Sequence, residues 1–127
     1  ELAGLGTVAF IHKDIEIAFG REVFRQAVRS MTAESLAMLE RHGMQVSDID
    51  LFIAHQANLR IIEAVGSRLG IAEDKVFINV QDYANTSAAT LPLALDDARS
   101  QGRLKPGMKV LLATFGGGIT WGAALLG

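Results

Sequence analysis

LFIAHQANLRIIEAVGSRLG, residues 51–70, reads as a strand, a polar turn and a helix. Leu51 to Ala54 form a short apolar run of the kind that fills a strand buried on both faces. From Asn58 the apolar positions change to helical spacing, with Ile61, Ile62, Val65 and Leu69 on one face. Gly70, which tolerates positive φ, stops the helix. Downstream, 76–80 and 110–114 read as two further buried strands. Between them, 86 to about 100 has helical spacing, and Thr86 or Ser87 can cap it. Pro92 lies early in that helix and bends it or limits its first turn. Strands joined through helices run parallel, with right-handed crossovers. Gly116–Gly118 makes a tight reversal into a last antiparallel strand over 119–125. The class is α/β, a mixed sheet with a β-α-β-α-β unit plus an antiparallel last strand.

Upstream, 21 to about 42 is helical, with Phe24, Ala27, Val28, Met31, Ser35, Met38 and Leu39 on one face and Gly43 as its stop. Ile11, Ile15, Ile17 and Phe19 alternate, which reads as a short strand or extended arm over 11–19. Residues 1–10 are apolar and Gly-punctuated, as a strand with missing neighbours would be. An N-terminal arm at 1–17 is therefore set apart from one domain at 18–127. The chain opens on Glu1 rather than Met, as a processed product or a piece of something longer would.

The 127 residues suit one domain, half of them hydrophobic and a fifth charged, which argues against disorder. A net charge of −2 argues against a general nucleic-acid surface. The absence of cysteine excludes a disulfide scaffold, thiolate zinc sites and a cysteine nucleophile within the chain, and is consistent with a reducing cytoplasm. No apolar run reaches membrane-spanning length, and no signal peptide is visible. No metal site is expected, because the three His are scattered and lack zinc-pair spacing. Gly116–Gly118 leads into a strand rather than a helix, so it is not a nucleotide loop.

In a parallel α/β sheet, ligands bind beyond the strand C-termini. The segments leaving the strands are His55–Asn58, Asp82–Thr86 and Phe115–Gly118. They should converge, bringing an imidazole, carboxamides and Gly-rich backbone to one place, a donor-rich setting suited to developing negative charge. Each has a plainer reading beside it. A lone His is commonly structural, Asn85-Thr86-Ser87 can be turn and cap chemistry, and the glycines can be a hairpin turn. Three consecutive glycines nevertheless exceed what most turns require. His12 and His42 read as surface residues, and Asp96 and Asp97 as solvent-facing.

HQANLRII at 55–62, NTSAAT at 85–90 and FGGGITWGAALL at 115–126, with GREVF at 20–24 and GRLKPGMKVLL at 102–112, resemble the C-terminal half of β-ketoacyl-acyl-carrier-protein synthase III, a thiolase-like condensing enzyme. The likeness covers about 18–127. It implies decarboxylative condensation of malonyl-acyl-carrier protein with an acyl group that a cysteine takes from acyl-CoA. That cysteine belongs to the N-terminal half, which would be a missing partner of this chain, and the chain alone would be inactive. His55 and Asn85 resemble the catalytic pair that donates to the malonyl thioester oxygen. Gly117 resembles one half of the oxyanion hole, and Phe115 a residue shielding the cysteine. Asn58, Gly20, Phe24 and Ile61 match positions lining the pantetheine tunnel, and Arg60 a contact to the acidic carrier protein. The resemblance further implies a cytoplasmic homodimer, no cofactor beyond its thioester substrates, no nucleic acid and no membrane. Ala84 departs from the family's usual glycine before Asn85, and a methyl there shifts the loop if φ is positive. A second reading is a non-catalytic module that binds carrier protein or serves assembly, although a pure scaffold has no reason to keep both donors and the glycine loop.

Overall fold

The structure, a computed structural model, describes residues 13–127, with side chains from residue 20 onward. Helix α1 spans Lys13–Arg41. Strand β1 is Leu51–Ala54 and helix α2 Leu59–Leu69. A single-turn helix α3, Val80–Tyr83, precedes a 3-10 turn at Ser87–Ala89 and helix α4, Thr90–Ser100. Strands β2, Val110–Gly116, and β3, Thr120–Leu126, close the chain. Among the described residues the sheet order is β1-β2-β3, with β1 parallel and β3 antiparallel to β2.

The apolar run of β1 is buried on both sides because its alternate residues enter two different cores. Phe52 and Ala54, with Leu111 and Ala113 of β2, pack against Val28 and Met31 of α1 and Ile62 and Val65 of α2. Leu51, Ile53 and Val110 pack on the other face against Phe77 and against Ala94 and Ala98 of α4. The two alanines let α4 approach the sheet closely. Helix α2 is bounded as its sequence dictates. The Asn58 side chain accepts from the Ile61 amide at 2.9 Å, and Gly70 closes the helix in the left-handed conformation.

Four expectations are corrected. Residues 13–19 are helical, so they are not a short strand or arm; residues 1–12, which carry the rest of that arm and His12, lie outside the described residues. Ile15 and Phe19 are also four apart, so one set of residues fits both periods. The expected strand over 76–80 reduces to a single bridge between Phe52 and Val76. Beyond Phe77 the Gln56 side chain takes the place of the ladder. Its Oε1 accepts from the Asn79 amide at 2.9 Å and the Val80 amide at 3.1 Å. The β-α-β-α-β unit therefore has a bridge where its middle strand was expected. Third, neither Thr86 nor Ser87 caps α4; the 3-10 turn intervenes, and Pro92 falls in the first turn of α4, where a missing N–H costs little. Last, Ile119 belongs to the hairpin turn with φ +54, and β3 starts at Thr120.

Candidate active site

The site begins where β1 ends. The His55 amide donates to the Ala113 carbonyl at 2.7 Å, which carries the parallel ladder one residue past the strand and holds His55 at the sheet's edge. Its ring Nδ1 is hydrogen-bonded to Thr90 Oγ1, on the first residue of α4. The ring is half-buried, and that burial pushes its pKa below the ordinary 6.5, so the imidazole is neutral near pH 7. His55 shares a cavity of about 280 Å³ with Thr90, Phe115, Gly116, Ser87 and Trp121. The ends of β1 and β2 thus converge, together with the start of α4.

Asn85 is exposed and lines neither this cavity nor the larger one described below. Its Oδ1 accepts from the Ser87 amide at 2.9 Å, an Asx turn. That bond fixes the amide's orientation and leaves Nδ2, a donor, without a hydrogen bond among the described residues. Turn chemistry and donor chemistry therefore coexist in one side chain.

Ala84, just before it, has φ +57 and ψ −165, a region that only glycine enters without strain. Ala84→Gly is accordingly expected to stabilise the protein by about 1 kcal/mol, the relief of strain outweighing glycine's extra unfolded-state entropy. A thermal melt that drops on this substitution would overturn the strain argument.

Gly118 in the β2–β3 turn has φ +78 and requires glycine. Gly117 does not: its φ is not positive, and a Cβ added there would meet open space. Nothing in the fold itself explains glycine at 117.

On the other side of the 55–58 turn, α1 and α2 flank an open cavity of about 1310 Å³. Gly20, Phe24, Asn58, Arg60 and Ile61 all line it, so the structure brings together every residue matched to the tunnel or the carrier contact, while Phe115, matched to the cysteine's surroundings, lines the His55 cavity instead. Asn58 also has a structural duty there, as the cap of α2. Sequence reasoning missed three further cations in this cavity, Arg21, Arg25 and Arg68. Their signal was present: Arg21 and Arg25 are four apart, and Arg60 and Arg68 eight apart, which places each pair on one helix face. His42 lies on the surface, its Nδ1 beside the Met38 carbonyl at 2.9 Å. Asp97, expected in solvent, instead accepts from Asn79 Nδ2 at 3.1 Å and is only partly exposed. Among the described residues no acidic, His or Cys cluster could hold a metal ion, and no helix is long and apolar enough to cross a membrane.

The family model described as 3-Oxoacyl-[acyl-carrier-protein (ACP)] synthase III C terminal matches residues 39–127. The chain belongs to this family. Beta-ketoacyl-[acyl-carrier-protein] synthase III of Nitratidesulfovibrio vulgaris strain DP4 is 67% identical over 107 residues, which cover 84% of this chain and 32% of that relative. The crystal structure of 3-oxoacyl-[acyl-carrier-protein] synthase III from Aquifex aeolicus superposes with a TM-score of 0.82 at 48% identity, covering 84% of this chain and 34% of the other. The Thermus thermophilus synthase III gives a TM-score of 0.81 at 51% identity, over 84% and 33%. The resemblance drawn from the motifs, and the thiolase-like α/β fold it implies, are borne out. The chain spans about a third of the length of these synthase III relatives.

Proposed function

We propose that this chain supplies the enolate-stabilising part of a condensing site, completed by a cysteine from the N-terminal part that such relatives carry. The observation that carries the reading is the hold on His55. Its Nδ1 is engaged by Thr90, and Nε2 is the ring nitrogen left to donate in the cavity beside Phe115 and Gly116. In this reading the cysteine thiolate takes an acyl group from acyl-CoA and releases CoA. Malonyl-acyl-carrier protein then loses CO2, and the electron pair of the broken bond passes to the thioester oxygen as an enolate. His55 Nε2–H and Asn85 Nδ2–H donate to that oxygen, neutral donors that hold charge without surrendering a proton. The enolate carbon attacks the acyl-cysteine carbonyl, whose oxygen the Gly117 amide receives, and the thiolate leaves as the β-ketoacyl product forms. A glycine that the fold does not require suits a backbone approached by substrate.

Gly20, Phe24, Asn58 and Ile61 would then flank the pantetheine arm, with Phe115 shielding the cysteine. Arg60, reinforced by Arg21, Arg25 and Arg68, would meet an acidic carrier protein. The reaction needs no cofactor besides its thioester substrates, and its setting is the cytoplasm, in a homodimer. Exposed Leu93, Ile119, Trp121 and Leu126 give the N-terminal part an apolar surface to cover.

The test pairs this chain with a separately made N-terminal segment of the Nitratidesulfovibrio vulgaris relative. Condensation is expected from the mixture and from neither part alone. A complex that forms yet shows no turnover would sink the reading. One feature favours the non-catalytic alternative: the arginine-lined cavity lies wholly within this chain, whereas the nucleophile does not. Carrier-protein binding by the chain, with no turnover in the mixture, is the outcome that would select it.

A further inference from the structure

We propose that Thr90 is a positioning residue for His55: its buried hydroxyl donates to Nδ1 and so holds the imidazole as the tautomer with its proton on Nε2. The proposal deepens the condensing-site reading and rests on it for the use made of that proton.

Three features support it. Thr90 is 2% exposed, and its hydroxyl has a single hydrogen-bond partner among the described residues, the His55 ring 35 positions away. A helical threonine commonly returns its hydroxyl to the carbonyl one turn back. Thr90 forms no such bond with Thr86, which frees the hydroxyl to cross to the sheet. Second, the proton has only one place to go. If Nδ1 carried a hydrogen and donated, the threonine proton would be buried with no acceptor. If the hydroxyl donates, Nδ1 is the acceptor, and a neutral ring then carries its hydrogen on Nε2. Third, Thr90 opens α4, whose positive N-terminal end lies against the ring and opposes its protonation. Burial of the ring acts in the same direction. An imidazolium would also turn Nδ1 into a donor and break the arrangement. Position 90 thus appears in the sequence as one more small residue on a helix, yet it determines which imidazole nitrogen can serve an oxyanion.

The test is 15N spectroscopy of the imidazoles in the full chain, alone and paired with the N-terminal segment, with label in this chain only. Three histidines keep the spectrum assignable by substitution. The native chain is expected to show a protonated Nε2 and an Nδ1 shifted by an accepted hydrogen bond. Thr90→Val should remove that shift and mix the tautomers, and Thr90→Ser should restore both. In the paired enzyme Thr90→Val should lower kcat for condensation about ten- to hundredfold with KM for the malonyl thioester little changed, as loss of a ring-orienting partner does elsewhere. Thr90→Ser should retain most of the rate. If the valine variant does not fold, serine against alanine gives the same comparison. A native ring protonated on Nδ1 overturns the proposal, as does a Thr90→Val variant with unaltered tautomer and rate. The two readings fail separately. If Thr90→Val shifts the tautomer but His55→Ala leaves turnover intact, the coupling stands and the condensing reading falls. If His55→Ala abolishes turnover while Thr90→Val changes nothing, the reverse holds.

Discussion

Gln56→Leu is expected to destabilise the protein by about 3 to 5 kcal/mol, although the two side chains are close in size and Gln56 is 1% exposed. The cost lies in hydrogen bonds, not volume. The carboxamide is used at both ends: Nε2 donates to the Ala54 carbonyl at 2.9 Å and the Phe77 carbonyl at 3.3 Å, while Oε1 accepts from Asn79 and Val80. Leucine would leave the buried Asn79 amide, the part-buried Val80 amide and two carbonyls without these partners, and an orphaned buried donor costs about 1 to 3 kcal/mol. The expected readout is a lower midpoint of denaturant unfolding with an unchanged slope. A loss below about 1 kcal/mol would mean that water enters and replaces the amide, and the clamp would not be structural. The clamp also bears on the site. It fixes residues 77–80, from which α3 leads directly to Ala84 and Asn85, so the surviving folded variant should place Asn85 less well.

Gln56 also explains where the sequence was legible and where it was not. The run 51–54 and the stop at Gly70 are local instructions, and they are read correctly from neighbours alone. The reading of 76–80 as a strand failed because its competitor is a side chain 23 to 24 positions earlier, and no local pattern reports that competition. The alternation over 13–19 misled because Ile15 and Phe19, four apart, also satisfy helical period. At the site, convergence of the ends of β1 and β2 followed from topology, which needs no side-chain knowledge, whereas Asp82–Thr86, expected there as well, does not line the His55 cavity. The role of Ala84 was legible as a condition on φ, and its φ is positive. Thr90 was invisible, because its significance lies in a contact made across 35 positions.

In the paired enzyme, His55→Ala is expected to lower condensation about 10²- to 10³-fold, the loss typical of removing one oxyanion donor, while transfer of the acyl group to the cysteine persists. Acylation measured by mass spectrometry, beside turnover, separates the two steps. Loss of both together would mean that His55 serves the fold and not the enolate. The pH dependence follows from burial of the ring, which lowers its pKa below 6.5. The neutral, Nε2-donating form therefore persists to lower pH than in a free histidine, and condensation limited by His55 should decline at lower pH than an ordinary imidazole would dictate. Stability has the same sign. The unfolded ring gains its proton near 6.5 and the folded ring at lower pH, so this group's contribution is fully present above 6.5 and is lost as pH falls toward the folded value. Melting temperatures compared between about pH 5 and pH 8 should fall on the acid side more for the native chain than for His55→Gln, whose amide does not titrate. Parallel curves would show that the ring is not held neutral by the fold.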